Sequence, residues 1–146
     1  YRRLIANELA AVMMAHVLFP QVDSLPASFS RRFVTGILRG DFDFRGVVFA
    51  DDLTMEGASA VGGIVERAEA ALAACCDVLP VCNRRESVIA LLDGLRSVPG
   101  PASQARIRLM RGRESMDRDA LQASDAWRQA REWLQRCERP PELTLT

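Results

Sequence analysis

Three short apolar runs, each followed by a helical pattern, constrain the fold of this chain more than any other feature. Apolar and β-branched composition predicts strands at residues 11–16, 47–50 and 77–82. Amphipathic spacing predicts helices at residues 28–39, with Ser28 as N-cap, 64–75 and 85–95. Alternation of this kind with short connections favours an α/β fold, in which helices pack outside a parallel sheet.

Three strands are too few for a complete α/β domain of either common type. An open doubly wound sheet needs further strands at an edge, and a closed barrel has eight strands in about 250 residues. The chain has 146 residues, does not begin with Met, and changes to a helix-only pattern after residue 97. We therefore expect part of a larger α/β unit followed by helices at residues 103–113 and 117–138. In the second of these helices, the apolar anchors are predicted to be Leu121, Trp127, Ala130, Trp133 and Leu134.

Composition and charge argue against several classes of function. The nineteen basic residues, all arginine, equal the nineteen acidic ones, and acids interleave with the arginines of residues 106–139. Solvated, salt-bridged helices explain that pattern better than nucleic-acid binding. We find no signal peptide and no apolar run long enough to cross a bilayer, so we expect no membrane partner.

The four cysteines have no metal-ligand spacing, so they give no indication of a metal site, and we expect no cofactor. They are Cys75, Cys76, Cys82 and Cys137. We expect them to be buried free thiols, which would suit a reducing compartment such as the cytoplasm.

Polar residues follow each predicted strand, at the end where parallel α/β folds collect reactive groups. His16 ends the first strand, Asp51 and Asp52 follow the second, and Cys82 and Asn83 end the third. His16, the chain's one histidine, could hold a loop as a structural residue or line a pocket. Both alternatives stay open at this stage.

Asp51 and Asp52 are the strongest local indication of chemistry. One interpretation makes both of them helix caps. However, the following residues, LTMEGASAVGG, are not typical of a helix start. Side chains alternate along a strand, so adjacent carboxylates point in different directions. We therefore expect one of them to face a pocket and the other to support it.

Several long motifs resemble the bacterial β-N-acetylhexosaminidases of glycoside hydrolase family 3. They are AVMMAHVLFPQVDSLPAS, LRGDFDFRGVVFADDLTMEGA and ERAEAALAACCDVLPVCN, in that order and with matching gaps. The resemblance implies that residues 1–97 form the last three βα units of a TIM-type (β/α)8 barrel. It implies that residues 98–146 form a helical extension.

The resemblance also implies an activity, a substrate and roles for particular residues. These enzymes remove terminal β-N-acetylglucosamine from peptidoglycan fragments with retention, acting in the cytoplasm on N-acetylglucosaminyl-1,6-anhydro-muropeptides. Their nucleophile maps onto Asp51, and Asp52 becomes a supporting residue. Their acid/base histidine and KHFPGHG segment lie upstream of the matched region and are not in this sequence. We therefore expect the missing N-terminal part of the barrel to be a partner and the isolated chain to be inactive.

Three residues depart from the family pattern. Ala50 replaces a serine, Cys75 replaces a glycine before the third strand, and Pro80 lies within that strand. A proline removes one hydrogen bond from a strand ladder, so the third strand is the least secure element. The alternative function is a non-catalytic fragment of a degenerate barrel that binds sugar or serves assembly.

Overall fold

The computed structural model describes residues 1–112 and 116–137, which form two compact units divided between Arg111 and Gly112. The first unit holds a four-residue helix α1 (Arg2–Ile5) and the strands β1 (Ala11–Met14) and β2 (Val47–Ala50). Its other helices are a 3₁₀ turn (Ala27–Phe29), a π-helix (Arg32–Asp41), a 3₁₀ helix (Glu56–Val61), α2 (Ile64–Ala73), α3 (Arg85–Gly94) and α4 (Pro101–Leu109).

The two strands are parallel, as predicted, and lie side by side with Ala11 opposite Val47 and Met14 opposite Ala50. The connection between them contains the π-helix, which gives the βαβ arrangement expected from the sequence pattern. The prediction of residues 11–16 was two residues too long, and residues 47–50 were correct.

The prediction of a third strand at residues 77–82 is wrong. Residues 77–82 run beside β2 but form one parallel bridge, between Phe49 and Val78. The Ala50 N–H donates to the Val78 carbonyl at 2.9 Å, and the ladder would next need an N–H from residue 80. Pro80 has none, so pairing ends there, although the Pro80 carbonyl still accepts from the Leu53 N–H at 3.0 Å.

The helix predicted at residues 28–39 is shifted and wider than an α-helix. It occupies Arg32–Asp41, with i to i−5 bonding that includes the Phe42 N–H to the Ile37 carbonyl at 3.0 Å. Ser28 is therefore not its cap. The serine hydroxyl that accepts a backbone N–H at this end is that of Ser30, from Phe33 at 3.1 Å.

The core of the first unit lies between β1, β2 and the helices that pack on them. Its buried members include Val12, Val34, Leu38, Phe44, Val48, Leu53, Ala68, Ala71 and Leu91. Although apolar, Leu92 on α3 is 80% exposed, and Leu4 on α1 is also exposed. Helix phase explains both, because the neighbouring residue faces the core: Leu91 on α3 and the partly buried Ile5 on α1.

The second unit contains α5 (Arg118–Ala123) and α6 (Asp125–Cys137) in place of the single predicted helix. Ser124 has extended backbone and divides them, and its hydroxyl oxygen accepts the Trp127 N–H at the start of α6. Of the predicted anchors, Trp127 is partly buried, whereas Trp133 and Leu134 are exposed. The helix predicted at residues 103–113 is α4, which begins two residues earlier and already ends at Leu109. The predicted end of the other helix, at residue 138, lies outside the described residues.

The expectation of four buried thiols was wrong for two of them. Cys76 is buried and Cys75 partly buried, but Cys82 and Cys137 are exposed, and all four are free. Burial raises the pKa of Cys76 to about 12, which makes it chemically inert. Among the described residues no helix is long and apolar enough to cross a membrane.

Candidate active site

The site lies where β2 ends, in the loop that carries Asp51 and Asp52. Asp51 continues the pairing of β2, because its N–H donates to the Met14 carbonyl at 3.0 Å. Its carboxylate is only partly buried, and Oδ1 accepts the N–H of Asp52 at 2.9 Å. Within residues 1–112 and 116–137, Oδ2 has no hydrogen-bond partner, so one carboxylate oxygen is available to a ligand.

The Asp52 carboxylate, by contrast, is fully engaged within the protein. Oδ1 accepts the N–H groups of Thr54 and Cys82, both at 3.0 Å, and Oδ2 accepts the Thr54 hydroxyl at 2.8 Å. Burial acts to raise the pKa of Asp52, but these hydrogen bonds outweigh it and leave the pKa below its usual value. Asp52 therefore ties the loop after β2 to the end of residues 77–82.

His16 lies two residues beyond β1 and is buried, with 8% of its surface exposed. Its Nδ1 is 2.6 Å from the Ser28 hydroxyl, and its Nε2 is 3.1 Å from the Asp52 carbonyl oxygen. The ring stacks on Phe29 with centroids 4.8 Å apart. With both nitrogens bonded inside the protein, the geometry favours the structural interpretation of His16 over a pocket-lining one.

The structure thus brings all three predicted residues together: Asp51 and Asp52 share one loop, and His16 contacts that loop. Sequence reasoning missed the residues that hold them, above all Thr54 and Ser28. An Asp–x–Thr spacing is a known turn pattern and could have pointed to Thr54. Ser28 is twelve residues from His16, and no local pattern identifies that pairing.

A second group of charged residues lies at the opposite end of β2. It consists of Asp77, Arg39 and Arg106, and we call it the ion-pair cluster. Asp77 is 3% exposed and contacts Arg39 at 2.8 Å and Arg106 at 2.6 Å. It also accepts the Val48 N–H at 2.9 Å. Burial would raise the pKa of Asp77, but the bonds from Arg106 and Val48 hold it below its usual value. Among the described residues, no group of three or more potential metal ligands lies close together.

Parallel strands with a partly buried carboxylate at their carboxyl end define the class: an α/β protein whose site is built from strand-end loops. Comparison with known proteins gives the family. The glycosyl hydrolase family 3 N-terminal domain matches residues 1–110, so the chain belongs to that family.

The relatives and solved structures agree with this assignment. A "Beta-hexosaminidase" of Aromatoleum aromaticum is 49% identical over 133 residues, which is 90% of this chain and 37% of that protein. The homologue of the same name from Bordetella avium is 51% identical over 123 residues, 84% of this chain and 35% of that protein. The chain therefore spans little more than a third of the length of these relatives.

Solved structures of family 3 enzymes share the fold. NagZ from Neisseria gonorrhoeae, in complex with N-trifluoroacetyl-D-glucosamine, superposes with a TM-score of 0.79 at 39% identity. The match covers 95% of this chain and 40% of that one. A family 3 β-N-acetylglucosaminidase from Paenibacillus sp. gives a TM-score of 0.68 at 30% identity, over 86% of this chain and 27% of its own.

Proposed function

We propose that this chain carries the nucleophile of a retaining β-N-acetylhexosaminidase and that the nucleophile is Asp51. The observation that supports this most directly is the contrast between two adjacent carboxylates. Every hydrogen bond described for Asp52 fixes it within the protein, whereas Asp51 Oδ2 has no partner among the described residues. Of these two carboxylates, Asp51 is therefore the one with an oxygen available for a substrate.

The proposed mechanism is double displacement at the anomeric carbon. Asp51 Oδ2 attacks that carbon as the bond to the leaving-group oxygen breaks, and a general acid gives that oxygen its proton. Water then attacks the covalent glycosyl-enzyme and gives its proton to the same residue, which restores Asp51 and the acid. The Asp52 N–H holds Oδ1 and so directs the other oxygen to the sugar.

The acid/base residue of the proposed mechanism comes from outside these 146 residues. The one histidine of the chain, His16, has both ring nitrogens bonded within the protein. We propose that the N-terminal part of the same barrel supplies the acid, and that residues 1–97 are its last three βα units with residues 98–146 as a helical extension. On this proposal the 146-residue chain is inactive alone.

The exposed side of β1 supports this proposal of a barrel partner. Among the described residues, β1 pairs with β2 along one edge only. Beside it lies an apolar pocket of about 290 Å³, lined in part by Met14, Phe33 and Phe42. Met13 and Phe19 at this pocket are 54% and 46% exposed. A neighbouring strand and helix would cover this surface, as in a closed barrel.

We further propose that the substrate is a peptidoglycan fragment with a terminal β-N-acetylglucosamine, of the N-acetylglucosaminyl-1,6-anhydro-muropeptide type, and that hydrolysis occurs in the cytoplasm without a cofactor. The names of the relatives, beta-hexosaminidase, support the hexosaminide part of this proposal. The gonococcal NagZ complex with an N-acylated glucosamine agrees with it.

A chimera tests the proposed function. It is gonococcal NagZ in which this chain replaces the matching segment, and it is assayed with a chromogenic N-acetylglucosaminide beside the 146-residue chain alone. We expect turnover by the chimera only. A 5-fluoro glycosyl fluoride of N-acetylglucosamine should leave a sugar on Asp51, identified by mass spectrometry of the peptides.

Two results would contradict the proposal. One is turnover by the 146-residue chain alone, and the other is a trapped sugar on any residue except Asp51. A folded chimera that binds N-acetylglucosamine without turnover, and does so equally well as Asp51→Asn, would favour the non-catalytic alternative.

A further inference from the structure

His16 is held more firmly than its neighbours after β1. Its ring lies on Phe29 at an interplanar angle of 15°, and both nitrogens have partners. By contrast, Val17, Leu18 and Phe19, which follow it, are all exposed. The ring orientation is therefore set by packing on one face and by hydrogen bonds at two atoms.

The partners of the ring determine where its proton lies. The Asp52 carbonyl can only accept, so Nε2 must carry the hydrogen that it donates across 3.1 Å. In a neutral ring Nδ1 then accepts, and the Ser28 hydroxyl donates to it across 2.6 Å. Ser28 is fully buried, and no carboxylate contacts the ring among the described residues.

The contact with Asp52 reaches the proposed nucleophile in one further step. His16 fixes the carbonyl of Asp52, and the N–H of the same residue donates to Asp51 Oδ1 at 2.9 Å. The Asp52 side chain is anchored separately by Thr54 and Cys82. The Asp52 carbonyl also accepts the Met55 N–H at 3.0 Å, so His16 is one of two donors that hold the backbone beside the Asp51 carboxylate.

The loop after Asp52 also returns to His16. A Cβ placed on Gly57 would lie 2.8 Å from the His16 carbonyl oxygen, closer than Cβ atoms approach other atoms in folded proteins. Glycine at this position lets the start of the 3₁₀ helix lie directly against the backbone of His16. The strand-end loops after β1 and β2 are thus packed on each other at this residue.

We propose that His16 is a positioning residue, whose neutral imidazole, held by Ser28 and Phe29, fixes the Asp52 carbonyl and thereby aims the Asp51 carboxylate. The role of Asp51 in this inference rests on the proposed function. The proposed tautomer, with hydrogen on Nε2, does not depend on it.

The kinetic experiment uses the chimera and a matched pair of variants. In His16→Gln the side-chain amide can reach the Asp52 carbonyl as Nε2 does, whereas in His16→Asn the shorter amide reaches only toward Ser28. We expect His16→Asn to lower kcat, and the rate of trapping at Asp51, by about 100-fold with KM little changed, as for a misdirected reacting group. His16→Gln should restore most of that loss.

Loss of kcat in both variants together with a fall in melting temperature would show a merely structural residue and overturn the proposal. Unchanged kcat in both would overturn it as well. If the chimera without substitutions is inactive, that result counts against the proposed function. The NMR measurement of the His16 tautomer then tests the inference about His16.

The tautomer is measured by ¹⁵N NMR of the imidazole in the 146-residue chain, in the solid state if the chain associates. The chain has one histidine, so the signals need no assignment. We expect hydrogen on Nε2 alone near neutral pH, and a changed tautomer balance in Ser28→Ala. Hydrogen on Nδ1, or on both nitrogens, in the wild-type chain would overturn the proposal.

Discussion

The two ends of β2 hold carboxylates of opposite character. At the amino end, Asp77 accepts hydrogen bonds from Arg39, Arg106 and the Val48 N–H and is almost fully buried. At the carboxyl end, Asp51 is partly buried, and the one described hydrogen bond of its carboxylate comes from the Asp52 N–H. The two ends of one strand can therefore hold a carboxylate whose oxygens are all engaged and a carboxylate with one oxygen left for a ligand.

The ion-pair cluster also explains why α4 belongs to the first unit. Arg106 lies on α4, and its guanidinium reaches Asp77 beside the start of β2. Arg39, at the end of the π-helix, donates to the Gly46 carbonyl and to Asp77. One buried carboxylate therefore connects two helices to the sheet at the end away from the site, where barrel residues serve stability.

Substitution at the carboxyl end should change activity most. Asp51→Asn in the chimera should lower kcat/KM by at least about 1000-fold at unchanged melting temperature, since it removes the proposed nucleophile. Asp52→Asn should cost less activity and more stability, because it weakens the bonds to Thr54 and Cys82. Equal activity losses in two well-folded variants would contradict this division of roles.

Substitution at the amino end should change stability with little direct effect on chemistry. Asp77→Ala leaves two partly buried guanidinium groups without their carboxylate, and we expect the unfolding free energy of the chimera to fall by about 3–5 kcal/mol. Asp93→Ala, at an exposed carboxylate on α3, is the control and should change it by less than about 0.5 kcal/mol. Similar urea midpoints for the two variants would show that the buried cluster contributes nothing.

Acid should reduce the stability that the ion-pair cluster provides at the amino end of β2. The pKa of Asp77 in the folded state is below its usual value of 3.8, so the charged carboxylate adds stability above that pH. That contribution should be lost as the pH falls through the folded-state pKa. The difference in urea midpoint between wild type and Asp77→Asn should be constant from neutral pH to about 4 and then shrink. A difference that grows in acid would reverse the sign and contradict the assignment.

The smallest expected effect concerns two residues with positive φ at either end of residues 77–82. Cys75 has φ 75° and Asn83 has φ 61°. Cysteine is strained in this region, whereas asparagine tolerates it. Cys75→Gly should therefore raise the unfolding free energy by about 1 kcal/mol relative to Cys75→Ala, which separates backbone strain from loss of the sulfur. Asn83→Gly should change the unfolding free energy by only a few tenths of a kcal/mol. Equal gains in unfolding free energy at both positions would contradict this difference in strain.

The sequence predicted the parallel β1–β2 pair and the positions of α2 and α3 because their apolar spacing is local. It also predicted that Asp51 and Asp52 would differ, because strand geometry points neighbours apart. It did not predict the ion-pair cluster, since Asp77 is 38 residues from Arg39 and 29 from Arg106. Pairings of that length depend on the assembled fold and leave no trace in periodicity.

Two features of residues 77–82 predict opposite outcomes. Their apolar composition favours a strand, whereas Pro80 removes a hydrogen bond from the ladder. The structure keeps the segment beside β2 through the bonds to Val48, Ala50 and Leu53, without a regular ladder. Burial thus placed the segment, while the missing N–H determined its hydrogen bonding.

The free edge of β1 has a consequence for the chain before its neighbours are in place. Among the described residues β1 pairs with β2 alone, so its other edge presents backbone donors and acceptors to any extended chain. Pro80 does not change this edge, because the N–H that it lacks would face β2. An extended segment that met the free edge, such as β1 of a second copy, would therefore add to the sheet there.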